Sequence, residues 1–561
     1  MSRLKTKKLI SFSIFINSDI VKSIFYGTSS FFTIFSIRFF QGKTDFFYQA
    51  DSLFELASYH AFMNSEFNFP LFNTEKIFPN QDFSLIWLSS TEVYFFFLKI
   101  FKSIFNIYTF NPFPLYYYLN FLIFSYVIQK IVFELKIKNF LFVSIFHYMI
   151  LLNPVFINRI VFHLGLITHW IIFIVIYFSI KVSRGNYTKL NNLALATGFS
   201  IYLHPYLAFM CSIIFFFYFI YVLVRQKTKY LISAFLIYTS IIASYFLLIL
   251  PPSLLTGGND SYRGAWSAEF NSFFCGKIPN SFISSKLWCY RPYINYDHEG
   301  YLYLGLGVIF GLIFLLANLK IFNKIIFNYF PLFASSFFLL ILSFGNKWKI
   351  AHKQIFEFEP NYAFRLILDS FRSNGRLGWV FYYCILIAVL FSVYKLKPKI
   401  LSYIVLLVVF SLQVYDLQEN YLKNEINTFN NNEVPTEFIN TSYEILKNNN
   451  ELLHIYPDDR CFHYKNFYYE NDPYLFAIVH LSNGGSINTS RLGRYSGKYA
   501  DRKFCDDYEI LNEIENDKPR QFVILKNFYV SISHKIVNYS CSEIQSYMQD
   551  GKILLYCKVN V

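Results

Sequence analysis

Three carboxylates, Asp45, Asp51 and Glu55, fall within "GKTDFFYQADSLFELASYHAF", directly after the first apolar run of the chain. On a helix beginning at Asp51, Glu55 lies one turn on and about 40° around the same face. Carboxylates so spaced raise each other's pKa, and burial beside lipid raises it further. That tunes one of them, Asp51 first, as a general base towards a hydroxyl. Asp is also a favoured helix N-cap, so spacing alone leaves both roles open. A second group, Arg365, Asp369, Arg372 and Arg376, lies in "YAFRLILDSFRSNGRLGWVFYY". Read as one helix, it falls within about 60° of arc, with Gly375 a potential break before Arg376. Guanidinium forks match phosphate oxygens, so this stripe can bind a lipid phosphate. Arginines at the end of a span also anchor ordinary headgroups. A third group, Arg159, His163, His169 and His204, occupies "NRIVFHLGLITHW" and "YLHPYLAF" near the ends of apolar runs. Ionisable groups there are costly and functional by default, unless a neighbouring helix carbonyl satisfies each histidine. Acids and histidines in one cleft can also hold a divalent cation such as magnesium or manganese, although no ligand spacing specifies one.

The elements that must position these residues are set by composition. Of 561 residues, 55% are hydrophobic and 15% charged, against about 25% charged in soluble domains, so lipid solvates most of the chain. The 70 Phe and 46 Tyr reflect a general bias, and single aromatics carry little functional weight. The net charge of +14 is first a question of membrane orientation, not of nucleic acid. Apolar runs of spanning length occur at 21–40, 114–133, 139–158, 163–181, 190–204, 206–224, 230–250, 301–319, 326–344, 377–394 and 400–416. Alternate connections ("MSRLKTKK", "ELKIKN", "KVSRGNYTK", "RQKTK", "KIFNK", "KLKPK") are short and basic. The expectation is an α-helical polytopic membrane protein of about 11 transmembrane helices, with a cytoplasmic N-terminus retained as a signal-anchor. The long connections 41–113, 251–300 and 345–376 then lie outside.

The first of these is too long for a simple tether. It holds two helix-like pieces, 51–64 and 92–105; the second, with Lys99 and Lys102, is expected to lie along the membrane surface. Residues 1–416 form the membrane part, 417–435 an Asn-rich linker, and 436–561 a small extracytoplasmic α/β domain. Its strands are read at "ELLHIYP", "QFVILKN" and "KILLYCKVNV", its helices at "TEFINTSYEILKN" and "DDYEILNEIEN". Cys211 and Cys384 fall in spans as packing residues. Cys275, Cys289, Cys461, Cys505, Cys541 and Cys557 fall outside, where disulfides are permitted. Cys275–Cys289 is the simplest pair to form, and free thiols are the alternative. No internal repeat, Walker loop, GxGxxG after a strand or paired CxxC is present.

Five stretches in this order resemble an uncharacterised bacterial branch of the GT-C superfamily of membrane glycosyltransferases: the Asp51 loop, "HLGLITHW", "YLHPYLAF", "DHEGYLYLGLG" and "FRSNGRLGWVFYY". The likeness covers the membrane part and, faintly, the tail through "SNGGSINTSRLGRYSGKYAD". It departs at Glu55, where the branch has His or Gln. The resemblance implies a polyprenyl-phosphate sugar donor and a glycan or lipid-linked acceptor, in the bacterial inner membrane and without nucleic acid. It implies base catalysis by Asp51, with Asp45 and Glu55 beside it. Lipid phosphate would go to Arg372, Arg376 and Arg365, with His163 and His204; Arg159, His169, Glu299 and Tyr301 would line a substrate pocket. Two rivals stay open: a lipid-diphosphate-dependent polysaccharide polymerase or ligase, and a lipid-linked sugar transporter.

Overall fold

The computed structural model describes residues 19–48, 50–77, 83–85, 91–162, 164–249, 266–275, 300–350, 353–371, 373–418, 436–447, 450–456, 472–488, 514–515, 518–525, 538–545 and 553–559. An apolar segment in lipid must close its own backbone hydrogen bonds, and each of the eleven apolar runs is helical along much of its length. In chain order the helices are α1 (Asp19–Ile34), α2 (Ala50–Asn64), α3 (Glu92–Phe105), α4 (Phe113–Glu134), α5 (Phe140–Leu151), α6 (Pro154–Phe162), α7 (Trp170–Ser183), α8 (Leu190–Phe199), α9 (Pro205–Val224) and α10 (Lys229–Leu248). They continue as α11 (Leu306–Ala317), α12 (Leu319–Asn328), α13 (Phe330–Ser343), α14 (Tyr362–Ser370), α15 (Trp379–Lys395) and α16 (Lys399–Leu417).

Eleven full spans are not what these helices make. Among the described residues six helical segments are long and apolar enough to cross a bilayer, or up to eight if each of two bent pairs counts as one span. The reason is length. The 16 residues of α1 rise about 24 Å and the 10 of α8 about 15 Å, against a hydrocarbon core of about 30 Å. Local chemistry cuts the runs. Pro154 opens α6 after a 45° bend from α5, and the Asn153 side chain caps the new helix by accepting from Phe156 N at 3.0 Å. Asn318 likewise accepts from Ile321 N at 3.3 Å and starts α12, turned 95° from α11.

Among the described residues, four of the basic connections, "ELKIKN", "KVSRGNYTK", "KIFNK" and "KLKPK", gather at one end of the bundle. Glu134 takes Arg184 at 3.0 Å and Lys181 at 3.3 Å, and Tyr394 Oη donates to Lys136 O at 3.3 Å. Lys395 lies within electrostatic reach of Lys136, Arg184, Lys324 and Lys399. Towards the opposite end, the "GYLYLGLG" segment is tied to the close of α16. Asp416 Oδ2 accepts from Tyr303 Oη at 2.6 Å and Leu306 N at 2.9 Å. Here α11 presses so closely on α16 that a Cβ at Gly307 would stand 2.0 Å from Val409 O.

The 92–105 helix forms as expected, but its lysines do not face headgroups. Lys99 Nζ is buried and donates to Phe62 O and Ser65 O, both at 2.8 Å. Lys102 Nζ donates to Met63 O at 3.0 Å. Both charges therefore cap the C-terminus of α2, where carbonyls lack helical partners and the dipole favours a cation. Desolvation, the larger cause, and the neighbouring Lys102 lower the Lys99 pKa to about 8.

The tail forms a five-stranded sheet of order β6-β5-β7-β9-β8, from β5 (Leu452–Tyr456), β6 (Ser486–Ile487), β7 (Gln521–Leu525), β8 (Tyr539–Gln545) and β9 (Ile553–Val559); β1–β4 are short hairpin strands at Asn73–Thr74, Phe83–Ser84, Lys347–Ile350 and Lys353–Glu357. Strand β5 runs parallel to β6 and β7, and the β7–β9 and β9–β8 pairs are antiparallel. Two helices accompany it, α17 (Thr436–Leu446) and α18 (Asp472–Ser482). Cys541 and Cys557 form a disulfide across β8 and β9. Cys275 is also disulfide-bonded, whereas Cys289 lies outside the described residues. Cys211 and Cys384 are free thiols within spans. Most of the expected helix at "DDYEILNEIEN" and the linker beyond Gln418 also lie outside the described residues.

Candidate functional site

Asp45 sits in a 3-10 turn, Asp45–Tyr48, and Asp51 is the second residue of α2; their side chains lie outside the described set. Glu55, one turn along α2, is 5% exposed. Its Oε2 accepts from Thr91 Oγ1 at 2.8 Å, just before α3. The next residue, Glu92, is 8% exposed. Burial drives the Glu92 carboxyl well above the usual carboxylate range, and the Glu55 charge pushes it further. The carboxylate pair expected at Asp51 and Glu55 thus has a member that spacing could not reveal, 37 residues downstream of Glu55. Its only sequence signal is an acid in the first turn of a helix.

The arginine stripe is not one helix. α14 ends at Ser370, and Arg376 belongs to a separate 3-10 turn, Asn374–Gly378, that leads into α15. The break falls before Gly375 because the turn is anchored elsewhere: Gly375 N donates to Trp266 O at 2.9 Å. Arg365 consequently stays exposed on α14, while Arg376 is buried with its Cζ 4.8 Å from the Tyr206 ring. Tyr206 Oη accepts from Ser373 N at 2.7 Å. His204 caps α9, its Nδ1 accepting from Tyr206 N at 3.1 Å. Arg372, His163 and Glu299 lie outside the described residues.

Arg159, on α6, places its Cζ 5.5 Å from the ring of Trp379, the first residue of α15. The His169 ring lies 4.5 Å from the same indole, tilted by 36°, and its Nδ1 shares a hydrogen bond with Tyr383 Oη. Tyr301 is buried in the extended segment whose Gly300 and Leu302 pack on the Asn374–Gly378 turn. The acidic helix reaches this cluster from the side: α2 packs on α6, and Tyr117 of α4, within electrostatic reach of Glu55, donates from its Oη to Ile160 O, next to Arg159, at 2.8 Å. Arg159, His169, His204, Arg376 and Glu55 therefore belong to elements that meet at one end of the bundle. Trp379 and Tyr206, which carry the two guanidinium groups, had no signal of their own among 22% aromatic residues. Among the described residues, no group of three His, Cys, Asp or Glu comes together as a metal set.

This is the architecture of a mostly helical membrane protein with buried polar groups collected at one end. Residues 24–418 match the family model described as a domain of unknown function, DUF6311, and the chain belongs to that family. The match runs from within α1 to just past α16 and stops before the tail sheet. No curated protein matches the chain.

Proposed function

We propose that the protein is an inverting glycosyltransferase that moves a sugar from a polyprenyl-phosphate donor to a glycan or lipid-linked acceptor. The reading rests on one observation: the acid-bearing helix α2 and the cation-bearing α6 and Asn374–Gly378 turn meet at the bundle end opposite the basic connections. Asp51 takes the proton of the acceptor hydroxyl. The freed oxygen bonds to the anomeric carbon from one face as the carbon–oxygen bond to the lipid phosphate breaks on the other. Arg376, with Arg372, Arg365, His163 and His204 as further candidates, receives the charge that grows on the phosphate. Arg159, His169, Glu299 and Tyr301 are assigned to the substrate side. The disulfides at Cys275 and Cys541–Cys557 favour an oxidising, extracytoplasmic side for this end and for the tail, in a bacterial inner membrane.

The test is Asp51→Asn in the full chain. It is expected to insert and fold normally and to abolish transfer from a polyprenyl-linked sugar. Full activity would remove Asp51 from the mechanism and make Asp45 the next acid to test. A lipid-diphosphate polymerase or ligase would instead show inactive Arg372→Ala with silent substitutions at 45, 51 and 55. The bent α5–α6 pair is the feature that speaks for transport; translocation into liposomes without bond transfer would establish it.

A further inference from the structure

Two carboxamides at the meeting point of these elements are wholly buried and wholly unpaired. Asn158 and Asn374 are each 0% exposed, and neither the Nδ2 nor the Oδ1 of either has a hydrogen-bond partner among the described residues. An amide can both donate and accept, and leaving one dry inside a protein costs about 1–3 kcal/mol or more. Native interiors rarely leave such groups unpaired unless a ligand or water completes them.

Their neighbours share the deficit. Trp379 Nε1 and His169 Nε2 also lack partners among the described residues, and their rings lie 4.5 Å apart. Ser267 Oγ is likewise buried and without a partner among the described residues. Glycine at 345 leaves room beside it: a Cβ there would stand 2.6 Å from Ser267 Oγ and 3.7 Å from Asn374 Nδ2. These groups are joined by covalent and ring contacts to the two guanidiniums. Asn158 precedes Arg159, whose Cζ faces Trp379. Asn374 opens the turn that carries Arg376 and ends where Trp379 begins α15.

Carboxamide, indole N–H and imidazole are the hydrogen-bonding types that match hydroxyl groups, each of which donates once and accepts as well. We infer that Asn158, Asn374, Trp379 and His169 form a subsite for the hydroxyls of a glycosyl group, held beside Arg159 and Arg376. This rests on the glycosyltransferase reading for the identity of the ligand. What it adds is a set of specificity residues for the hydroxyls of the sugar.

The experiment uses the full chain in detergent and two probes: a ten-carbon isoprenyl monophosphate and its glucosyl ester. Thermal melting is followed against the concentration of each. The glucosyl ester is expected to half-saturate at about tenfold lower concentration than the bare phosphate, the gain of one to two neutral hydrogen bonds. Asn158→Leu and Asn374→Leu remove an unpaired polar group, so each should melt at or above the unsubstituted protein without ligand. Each should respond to the bare phosphate as before and lose the glucosyl gain. Equal responses of the unsubstituted protein to the glucosyl and bare probes would show that water completes the amides. That result would overturn the subsite and leave lipid-phosphate binding standing. No response to any probe would overturn the subsite together with the glycosyltransferase reading.

Discussion

Gly375 packs against Gly300 with no room for a side chain: a Cβ on Gly375 would lie 2.4 Å from the Gly300 Cα. The contact joins the sequence's two most distinctive motifs, "DHEGYLYLGLG" and "FRSNGRLGW", and it sets where Arg376 stands. Gly375→Ala must push backbone against backbone, with no flexible side chain to yield. Overpacking of this kind costs about 1–3 kcal/mol and sometimes more. The variant is expected to melt several degrees lower and to bind a ten-carbon isoprenyl monophosphate more weakly, because the Arg376 turn is displaced. Unchanged melting and unchanged phosphate binding would show that the turn is not held by this contact.

The Glu55–Glu92 neighbourhood makes a prediction about pH. The Glu92 pKa is raised in the folded state, first by burial and then by Glu55, and both carboxylates lie within electrostatic reach of Tyr116. Above the unfolded value, near 4.3 for a free Glu, the folded form binds more protons than the unfolded one. Stability therefore falls as pH rises from that value through the folded pKa. Glu92→Gln fixes the neutral form. It should melt higher than the unsubstituted protein at pH 8, with the gap closing as pH approaches 5. A gap that is constant with pH, or that widens on acidification, would contradict a protonated Glu92.

What could be read from the sequence follows a physical division. Helix α3 begins and ends where its apolar periodicity and flanking residues place it, and α2 begins within one residue of Asp51, because local spacing decides both. Three tail strands are legible for the same reason, whereas α18 in "DPYLFAIVHLS" is apolar on all sides and gives no helical stripe. The span count differs because hydropathy reads through Asn153, where a side-chain cap and Pro154 break the helix, and does not reveal that α1 and α8 are too short to cross. The site was half legible. Arg159, His169, His204, Arg376 and Glu55 could be selected as costly ionisable groups near apolar runs. Asn158, Asn374, Trp379, Tyr206 and Glu92 could not, since only folding reveals what stands opposite an ordinary residue.

Lys99 supplies a test of the outer segment that is independent of catalysis. Its ammonium is the donor for Phe62 O and Ser65 O at the end of α2, and it lies 4.3 Å and 4.4 Å from the Phe62 and Phe67 ring centroids. Lys99→Met keeps the length of the side chain and removes the donor, leaving those carbonyls to water or to nothing. A loss of about 2–3 kcal/mol is expected for charge-assisted bonds in a buried setting. Hydrogen exchange at the last turn of α2 should then speed up strongly, while α7 and α9 exchange as before. If the last turn keeps its protection, the lysine is not the cap.

The tail sheet is joined to the acid-bearing helix by α18 and the strand that follows it. Asn64 Nδ2 donates to Leu481 O at 2.7 Å, Lys76 Nζ to Gly484 O at 2.7 Å, and Ile487 N to Lys76 O at 2.8 Å. Phe54, between Asp51 and Glu55, meets Tyr474 edge-on at 5.6 Å. A helix of 15 residues beside a bilayer has little intrinsic stability, so these contacts should set how firmly α2 is held. Asn64→Ala combined with Tyr474→Ala removes side-chain ties between α2 and the tail, and with them the Lys102–Asn64 bond, and spares the acids of α2. Losing the hydrogen bonds and an aromatic pair is worth about 1–3 kcal/mol, so amide exchange in α2 should accelerate about 5- to 100-fold. Exchange in α9 and α15, which make none of these contacts, should not change. If α2 serves as the catalytic helix, sugar transfer should fall with its protection while insertion stays normal. Faster exchange with undiminished transfer would separate the docking of the tail from the chemistry, and unchanged exchange would mean that α2 is held by the membrane bundle alone.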